Sequence, residues 1–473
     1  MTDAEIGLEG AAARVPVADA TESDAASPSG RSTRSRRTRE DRAGPIRLFI
    51  FGACIFLLTS PFTFTLIHED PNVPTLLNIS NMRQSDNSQV LLYLVRAAVL
   101  AMAGLFMIPR IRALFRGLPQ LLPVIPFTVW AALSILWSDD AAVTWHGVAA
   151  LVALWLTGFL IAQQLRPVDL ARAIVVAAVI MAVTSIAYAL VLPAYGIHQS
   201  TDATQNVHAG AWRGVYLHKN FLGHVSAFFA AGIFFLGKEV VPSRILKWGI
   251  FALLIFTAAM TTSASALAMV VISVAAVWGA VIASPKTRTK AIIIGAPAAL
   301  ALYWSVAAIL DALGRDDTFS GRTVVWKLAT DSFLNQPFNG FGYVAMTYGD
   351  FSYQLMRTTG LFDPHNAFFD IALGTGFIGL VLFLLILPFA WIAARRLYLA
   401  GGGEAQAALA LSGIAIGWMI SGMTESSERP FTAMGGLGLF AFVALLSVPR
   451  ARRQVRRSRG LRAKVNEPVQ ARA

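Results

Sequence analysis

The sequence predicts an all-α polytopic membrane protein, and its composition and its apolar runs carry that prediction. Of the 473 residues, 56% are hydrophobic and only 14% are charged. Soluble domains carry roughly a quarter charged residues, so this composition argues against an ordinary soluble enzyme. The apolar residues also come in runs close to the roughly 20 residues that a helix needs to cross a bilayer.

Twelve apolar runs follow one another along the chain, with edges defined to within a few residues. The first six lie at 48–67, 90–108, 121–137, 145–165, 170–192 and 221–236. The other six lie at 245–260, 264–283, 291–310, 372–392, 407–423 and 431–448. The sequence therefore predicts about 12 transmembrane helices.

The distribution of charge predicts how these helices are oriented. The formal charge is +12, and most of the excess sits in the two tails. The connections alternate between base-rich and acid-containing segments, and the base-rich ones include 110–116, 238–247 and 286–290. The positive-inside rule then places both termini in the cytoplasm. Because topology explains the excess charge, we expect the lipid bilayer and no nucleic acid as a partner.

Composition divides the chain into three parts. Residues 1–46 lack a signal-peptide core and are expected to form a disordered cytoplasmic tail. Residues 47–449 form the predicted membrane domain. Residues 450–473 form a basic cytoplasmic tail that fixes topology, with contact to anionic lipid as the alternative function.

Two connections on the predicted periplasmic side are too long to be turns. They run from about 193 to 220 and from about 311 to 365. Loops of this length in compact architectures are usually functional or disordered. Both contain aromatic residues, cations and turn residues, which disfavours disorder. We therefore expect the chemistry of the protein on its extracytoplasmic face.

The first loop ends in a cationic segment at the start of the sixth predicted span. This segment contains Arg213, His218 and Lys219, followed by Asn220 and His224 one helical turn apart. A helix N-terminus offers N–H groups and partial positive charge, which suit a phosphate or a carboxylate. Interfacial anchoring is the alternative, because basic and aromatic residues collect at headgroup level in any membrane protein.

The second loop contains a predicted surface helix and a histidine. The periodicity over 320–333 predicts a short amphipathic helix, on which Arg322 and Trp326 are four residues apart and can stack. His365 stands at the predicted start of the next helix, where the helix dipole favours a neutral ring that can accept a proton. A solvated histidine with no catalytic role is the alternative.

Two features inside the predicted spans leave alternatives open. Arg96 lies six residues into the second span, and a charge inside the membrane is a functional candidate by default. Its side chain can instead extend to the outer surface. Gly374, Gly376 and Gly379 allow either a break in the tenth span or close helix packing.

The sequence contains no motif for a metal ion, a nucleotide or a disulfide. The carboxylate pairs Asp139–Asp140 and Asp316–Asp317 have no partner histidine at ligand spacing. No Gly-x-x-x-x-Gly-Lys phosphate loop occurs, and Cys54 is the single cysteine. We therefore expect no metal site and no other cofactor.

Four segments, in this order and with this topology, resemble the O-antigen ligase and polymerase (Wzy-type) superfamily and, within it, ExoQ-type exopolysaccharide polymerisation proteins. The segments are Leu-Ser-Ile-Leu-Trp-Ser-Asp-Asp at 133–140, Arg213-Gly214 with His218-Lys219-Asn220, Gly321-Arg322-Thr323 with Trp326, Pro337 and Gly340-x-Gly342, and His365-Asn366 with Gly374-x-Gly376. One departure is the stretch 262–266, where related chains often carry a basic residue and this chain carries none.

The resemblance implies a GT-C-like membrane glycosyltransferase of the bacterial inner membrane that needs neither nucleotide nor metal. It implies a polyprenyl-diphosphate-linked glycan as donor and a polysaccharide as acceptor, with a flippase and chain-length regulators as further partners. The implied catalytic residues are Arg213 and Arg322 on the diphosphate and His365 as base. The implied substrate-binding residues are Arg96, His218, Lys219, Asn220, His224, Trp326 and Asn366.

Two other functions remain open at this point. A ligase of the same superfamily passes a finished chain to a lipid or protein acceptor, and the motifs do not separate it from a polymerase. A secondary transporter is the alternative from another class, because an even number of spans with both ends inside is typical of transporters. Transporters usually carry repeated halves and broken or charged helices near the bilayer midplane, whereas the polar residues here collect in two outer loops.

Overall fold

Helices make up nearly all of the regular structure in the computed structural model. The model describes residues 43–62, 86–202, 206–284, 286–287, 320–347, 350–359, 361, 363–427, 429–430 and 432–449. Within these ranges the only β-type pairing is an isolated antiparallel bridge between Ile197 and Trp212. The predicted all-α class is confirmed.

The longer helices are numbered here in chain order. Those of the first half are α1 Pro45–Leu57, α2 Asp86–Met107, α3 Ile125–Leu133, α4 Ala141–Gln164, α5 Pro167–Val191, α6 Lys219–Phe234 and α7 Arg244–Met260. Those of the second half are α8 Ala264–Val277, α9 Ser320–Asn335, α10 Asp350–Thr359, α11 Ala367–Leu384, α12 Ile386–Ala400, α13 Gly402–Ser421 and α14 Ala433–Ser447. A π-helical turn, Trp278–Ile282, continues α8.

The helices agree with a polytopic membrane protein. Six of the described segments are long and apolar enough to cross a bilayer, and three shorter apolar helices accompany them. The predicted span 291–310 lies outside the described residues, as do nearly all of the predicted tails 1–46 and 450–473. The number twelve therefore stays a prediction. The surface helix predicted over 320–333 is present as α9.

Helix α6 lies at the centre of the bundle and packs against α13, α7 and α8. Its contact with α13 is a backbone contact made possible by two glycines. A Cβ atom on Gly413 would lie 2.2 Å from the backbone nitrogen of Gly232, and a Cβ on Gly232 would lie 2.6 Å from the carbonyl oxygen of Ala410. Small residues allow such close approach of helices inside a membrane.

Gly376 interrupts α11, so the glycines of this segment make a break as well as a close contact. Its backbone has φ 68° and ψ −175°, outside the helical region. The segment Pro337–Gly342 lies beside the break. The N–H of Phe377 donates to the carbonyl of Pro337 (2.7 Å), and the N–H of Phe341 donates to the carbonyl of Leu373 (2.8 Å).

The motif at 133–140 holds this same segment. The backbone N–H of Asp139 donates to the carbonyl of Phe341 (3.0 Å), and the Trp137 indole N–H donates to the carbonyl of Asn339 (3.1 Å). Asp140 caps α4 by accepting a hydrogen bond from the N–H of Val143 (3.0 Å). The first and third segments of the resemblance are therefore packed together, and the contacts that the first makes are structural.

We expect Gly376→Ala to destabilise the protein because the new methyl group meets the backbone. The Cβ would lie 2.0 Å from the carbonyl oxygen of Phe338, at a φ that side chains disfavour. The combined strain and overpacking should lower the unfolding free energy by about 2–4 kcal/mol. The measurement is the thermal unfolding midpoint in detergent. Gly249→Ala is the control, because its Cβ enters open space in α7 and its midpoint should not fall. Equal midpoints for the two variants would contradict the break.

Candidate functional site

Glu425, in the connection between α13 and α14, joins the two predicted site segments. Its Oε1 accepts a hydrogen bond from the Asn220 side-chain amide at 2.9 Å. Its Oε2 lies 3.4 Å from Nδ1 of His365. Asn220 belongs to the first loop and His365 to the second, so one nearly buried carboxylate, 9% exposed, brings residues 145 positions apart to one place.

A second carboxylate stands on the other side of the His365 ring. Oδ1 of Asp363 lies 3.8 Å from Nε2 of His365 and accepts hydrogen bonds from the backbone N–H of His365 (3.0 Å) and the hydroxyl of Ser426 (2.9 Å). Arg429 approaches the other oxygen of Asp363 at 3.3 Å and also Asp370 at 3.8 Å. Burial would raise the pKa of Asp363, but the positive charges of His365 and Arg429 and these hydrogen bonds lower it overall.

The imidazole of His365 is thus held between two carboxylates while 28% of its side chain stays exposed. A carboxylate beside one ring nitrogen orients the imidazole and stabilises the imidazolium that forms when the ring accepts a proton. The arrangement is chemically suited to a general base. Its backbone is also unusual, because His365 has φ 48°, a region that non-glycine residues seldom occupy.

Asn366, not His365, begins the helix at this position. Its side-chain oxygen accepts hydrogen bonds from the N–H groups of Phe368 (3.0 Å) and Phe369 (3.1 Å) and caps α11. Its amide donates to the carbonyl of Met423 (3.2 Å). The predicted helix start is therefore one residue too early, and these contacts position the loop that carries His365.

Three histidines of the first loop cluster at the start of α6. The ring centroids of His198, His208 and His218 lie 5.1–5.7 Å apart. Nδ1 of His218 accepts from the N–H of Asn220 (3.1 Å), and Nε2 of His198 accepts from the N–H of Lys219 (3.1 Å). An accepting ring nitrogen carries no proton, so both rings are neutral when they make these bonds.

Burial and neighbouring cations keep two of these histidines neutral at ordinary pH. Burial, Arg213, His208 and Lys219 lower the pKa of His198 to about 3. The pKa of His218 is also lowered to about 3, mainly by burial, although the negative charge of Glu425 opposes the shift. The neighbouring His198, His208 and Lys219 lower it further. The cluster sets the start of α6. Within the described ranges, no group of three His, Cys, Asp or Glu residues could hold a metal ion.

Arg213 is held inside the first loop. Its guanidinium donates to the carbonyls of Tyr195 (2.8 Å) and Ala194 (3.1 Å) and forms an ion pair with Asp202 (3.0 Å). Only 1% of the residue is exposed. These contacts fix the fold of the loop and hold the guanidinium of Arg213 away from solvent. The burial of the side chain does not support the predicted direct contact with the diphosphate, which stays a prediction.

Arg96 and His224 also lie in packed surroundings. Arg96 donates to the hydroxyl of Ser60 (2.6 Å), just beyond the end of α1. His224 is fully buried between α6, α8 and α13, where it contacts the hydroxyls of Ser421 (2.8 Å) and Ser265 (3.1 Å). Ser265 belongs to the stretch in which related chains often carry a cation. The structure thus places His224 in the helix packing.

Trp326 connects the surface helix to the site. Its indole N–H donates to the carbonyl of Pro364 (3.0 Å), the residue before His365. Its ring packs on Phe369 with centroids 6.3 Å apart. Arg322 lies one turn earlier on α9, and its side chain is outside the described part of the structure.

Two residues of the candidate site, Glu425 and Arg429, are not among the residues that the sequence analysis predicts. Both lie in a short connection between two apolar helices, where hydropathy predicts no more than a turn. A signal was available in Arg429, because an arginine in a predicted extracytoplasmic turn departs from the positive-inside rule. Its burial beside two carboxylates explains that departure.

We expect the buried pair Arg213–Asp202 to contribute strongly to stability. Arg213→Met leaves a buried carboxylate and Asp202→Asn leaves a buried guanidinium, and each change should cost about 3–5 kcal/mol. The double variant should recover part of that loss because no charge is left alone. Unfolding midpoints measure all three. Lys327→Met, in the exposed pair with Asp331, should change stability by less than about 1 kcal/mol. Equal effects of Lys327→Met and Arg213→Met would contradict the assignment.

The lowered histidine pKa values predict a pH dependence of stability. His198 and His218 have folded pKa values of about 3, against the ordinary histidine pKa of 6.5. Between these values the unfolded chain binds more protons, so stability is complete above about pH 6.5 and falls as the pH drops. His218→Asn keeps a helix-capping side chain and removes one titrating group. The midpoint should therefore drop less between pH 7 and pH 5 in this variant, and His146→Asn, at an exposed histidine, should behave like the unaltered protein.

Comparison with known proteins agrees with the motifs. Residues 249–384, from α7 to the end of α11, match the family described as O-antigen ligase, and this stretch includes His365 but not Asn220 or Glu425. The chain is also 25% identical over 366 residues to the exopolysaccharide production protein ExoQ of Rhizobium meliloti (strain 1021), covering 70% of this chain and 78% of that protein. The predicted resemblance is confirmed: residues 249–384 are similar to the O-antigen ligase family, and the chain is similar to ExoQ.

Proposed function

We propose that this chain is a membrane glycosyltransferase that polymerises or transfers polyprenyl-diphosphate-linked oligosaccharide repeat units on the outer face of the bacterial inner membrane. The O-antigen ligase match and the similarity to ExoQ support a role in polysaccharide assembly. The observation that supports a reaction at this site is the contact of Glu425 with both Asn220 and His365. Two loops that the sequence separates meet there around an imidazole and a carboxylate.

The proposed reaction is attack by an acceptor hydroxyl on the anomeric carbon of the donor glycan. A bond forms between the acceptor oxygen and the anomeric carbon as the bond to the diphosphate oxygen breaks. The polyprenyl diphosphate leaves with that electron pair, and His365 takes the hydroxyl proton. Glu425 and Asp363 stabilise the resulting imidazolium from its two sides.

The leaving diphosphate needs cations near the imidazole, because its charge grows as the bond breaks. We assign this role to Lys219, which precedes Asn220 at the start of α6, and to Arg322, which lies one turn before Trp326 on α9. Arginine suits phosphate oxygens because its donors form a planar fork. Arg213 is a positioning residue in this proposal, since its buried guanidinium shapes the loop that leads to Lys219.

A ligase is the second candidate, because the matched family is described by that activity. It would use the same donor and the same bond changes, with a lipid or protein acceptor in place of a growing polysaccharide. Gel analysis of surface polysaccharide from a deletion strain separates the two. Single repeat units indicate a polymerase, bare acceptor core indicates a ligase, and unchanged glycan contradicts both.

The proposed orientation follows from the charge pattern and the site. Both termini would lie in the cytoplasm, with the His365–Glu425 site in the periplasm. Donor glycan would then reach the site after a flippase has moved it across the membrane, and chain-length regulators would act on the product. Cysteine labelling from outside the cell at a position beside Trp326, compared with the C-terminal tail, tests this orientation.

We expect His365→Ala and Glu425→Gln to lower polymer formation by about 100-fold or more, since a general base contributes at least that factor. Arg322→Ala should cause a comparable loss if its cation meets the diphosphate. Arg213→Ala should lower polymer formation mainly by lowering the amount of folded protein, because the contacts of Arg213 are structural. The measurement is gel analysis of polymer length and amount in vivo at matched membrane protein levels.

His146→Ala is the matched control. His146 lies near the start of α4, is exposed and packs against Tyr93, and it has no part in the proposed reaction. Its polymer should match that of the unaltered protein. Full-length polymer from His365→Ala, Glu425→Gln and Arg322→Ala would remove the proposed site.

A further inference from the structure

A groove opens between helices α6, α7 and α8 at the end of the bundle opposite the candidate site. Helix α6 begins at Lys219, beside the site, and ends at Phe234, which lines the groove. The groove has a volume of about 470 Å³. Its other lining residues include Phe251, Val270, Val271, Val274 and Trp278, so its walls are apolar.

The groove is open to the lipid-facing side of the bundle. Val271 is 70% exposed and Trp278 is 45% exposed. The walls are also well ordered by ring contacts, because Phe234 packs edge-on against Trp248 (5.6 Å) and against Phe251 (5.7 Å between centroids). An apolar slot with rigid aromatic walls, open toward the bilayer, is shaped for a hydrocarbon chain.

Cations stand at the mouth of this groove. Nζ of Lys247 donates to the carbonyl oxygen of Phe234 (3.0 Å) and lies 4.4 Å from the centre of the Trp248 ring. Arg244 is one turn earlier on α7 and is exposed. The mouth therefore combines a fixed ammonium group, a guanidinium and an indole at the level where a helix enters the membrane.

These cations are not paired with any carboxylate of the described residues. Across the described residues, no carboxylate forms an ion pair with Lys247 or Arg244. Glu239, the acidic residue of the connection between α6 and α7, is exposed and pairs with neither. By contrast, Arg429 and Arg213 at the opposite end are held by Asp363 and Asp202. The positive charge at the groove mouth is therefore available to an external anion.

We propose that this groove binds an anionic glycerophospholipid of the leaflet opposite the candidate site. One acyl chain would lie along Phe234, Val271 and Trp278, and the phosphate would contact Lys247 and Arg244. Charge complementarity selects the anionic headgroup, and the position at the far end of α6 separates this lipid from the polyprenyl diphosphate of the donor. Basic residues at a membrane surface attract anionic lipid by a similar arrangement.

The test is lipid binding to the full-length protein in detergent, measured by native mass spectrometry with added phosphatidylglycerol or phosphatidylcholine. We expect phosphatidylglycerol to bind more tightly. Arg244→Ala with Lys247→Ala should weaken its binding by about 25-fold, or about five-fold for each cation. Lys247→Arg keeps the charge and should retain binding. Val274→Phe fills the groove from the apolar side and should weaken binding of the same lipid.

Arg112→Ala with Arg116→Ala is the matched control, because both residues are exposed cations in another connection on the same predicted face. Equal loss in the two double variants, or equal binding of the two lipids, would overturn the proposal. Displacement of phosphatidylglycerol by a polyprenyl phosphate would also overturn it, since the groove would then hold the donor tail. A variant is taken as folded when its unfolding midpoint is close to that of the unaltered protein. Because the readout is lipid binding, its result is independent of polymer synthesis.

Discussion

The backbone contact between α6 and α13 is the constraint on which the candidate site depends. Gly232 and Gly413 let the two antiparallel helices touch, and no side chain larger than hydrogen fits between them. From this contact, Asn220 lies twelve residues back along α6 and Glu425 lies twelve residues forward along the chain from α13. At about 1.5 Å per residue, both positions are reached some 18 Å away, at the same end of the bundle. Packing inside the membrane thus sets the distance between two polar groups outside it.

The loop that carries His365 is fastened to the same end of α13. The N–H of Ala367 donates to the carbonyl of Gly422 (2.8 Å), and Asp363 accepts from Ser426 (2.9 Å). These bonds fix the backbone on both sides of His365, which occupies a left-handed conformation between them. The connection after α13 therefore acts as the common support for both loops, and the surface helix α9 contacts the loop that carries His365 through Trp326 and Pro364.

The sequence was sufficient for the parts of this structure that depend on local pattern. Hydropathy located most of the apolar helices and periodicity located α9, but α10 was not predicted, and α11 and α12 were predicted as one span at 372–392. The choice between a break and close packing at Gly376 needed the position of Pro337–Gly342, which the sequence does not give. Long-range partners were not predictable, because nothing in the loop sequence indicates that Arg213 pairs with Asp202 or that His224 meets Ser265. Glu425 was missed for the same reason: its importance comes from partners 205 and 60 residues away.

Two arginines at one end of α6 are paired with carboxylates, whereas the cations of the groove mouth at the other end pair with no carboxylate of the described residues, and this difference bears on the proposed function. At the site end, Arg213 and Arg429 are held by carboxylates, so the chain itself neutralises cations that a substrate would otherwise use. In the proposed reaction, a diphosphate entering there would meet negative charge from Glu425 and Asp363, and its binding would rely on Lys219 and on cations of α9. The same negative charge stabilises a protonated His365. A site arranged in this way gives up some affinity for the ground-state donor and gains stabilisation at the step in which the imidazole accepts a proton, which is the balance that catalysis requires.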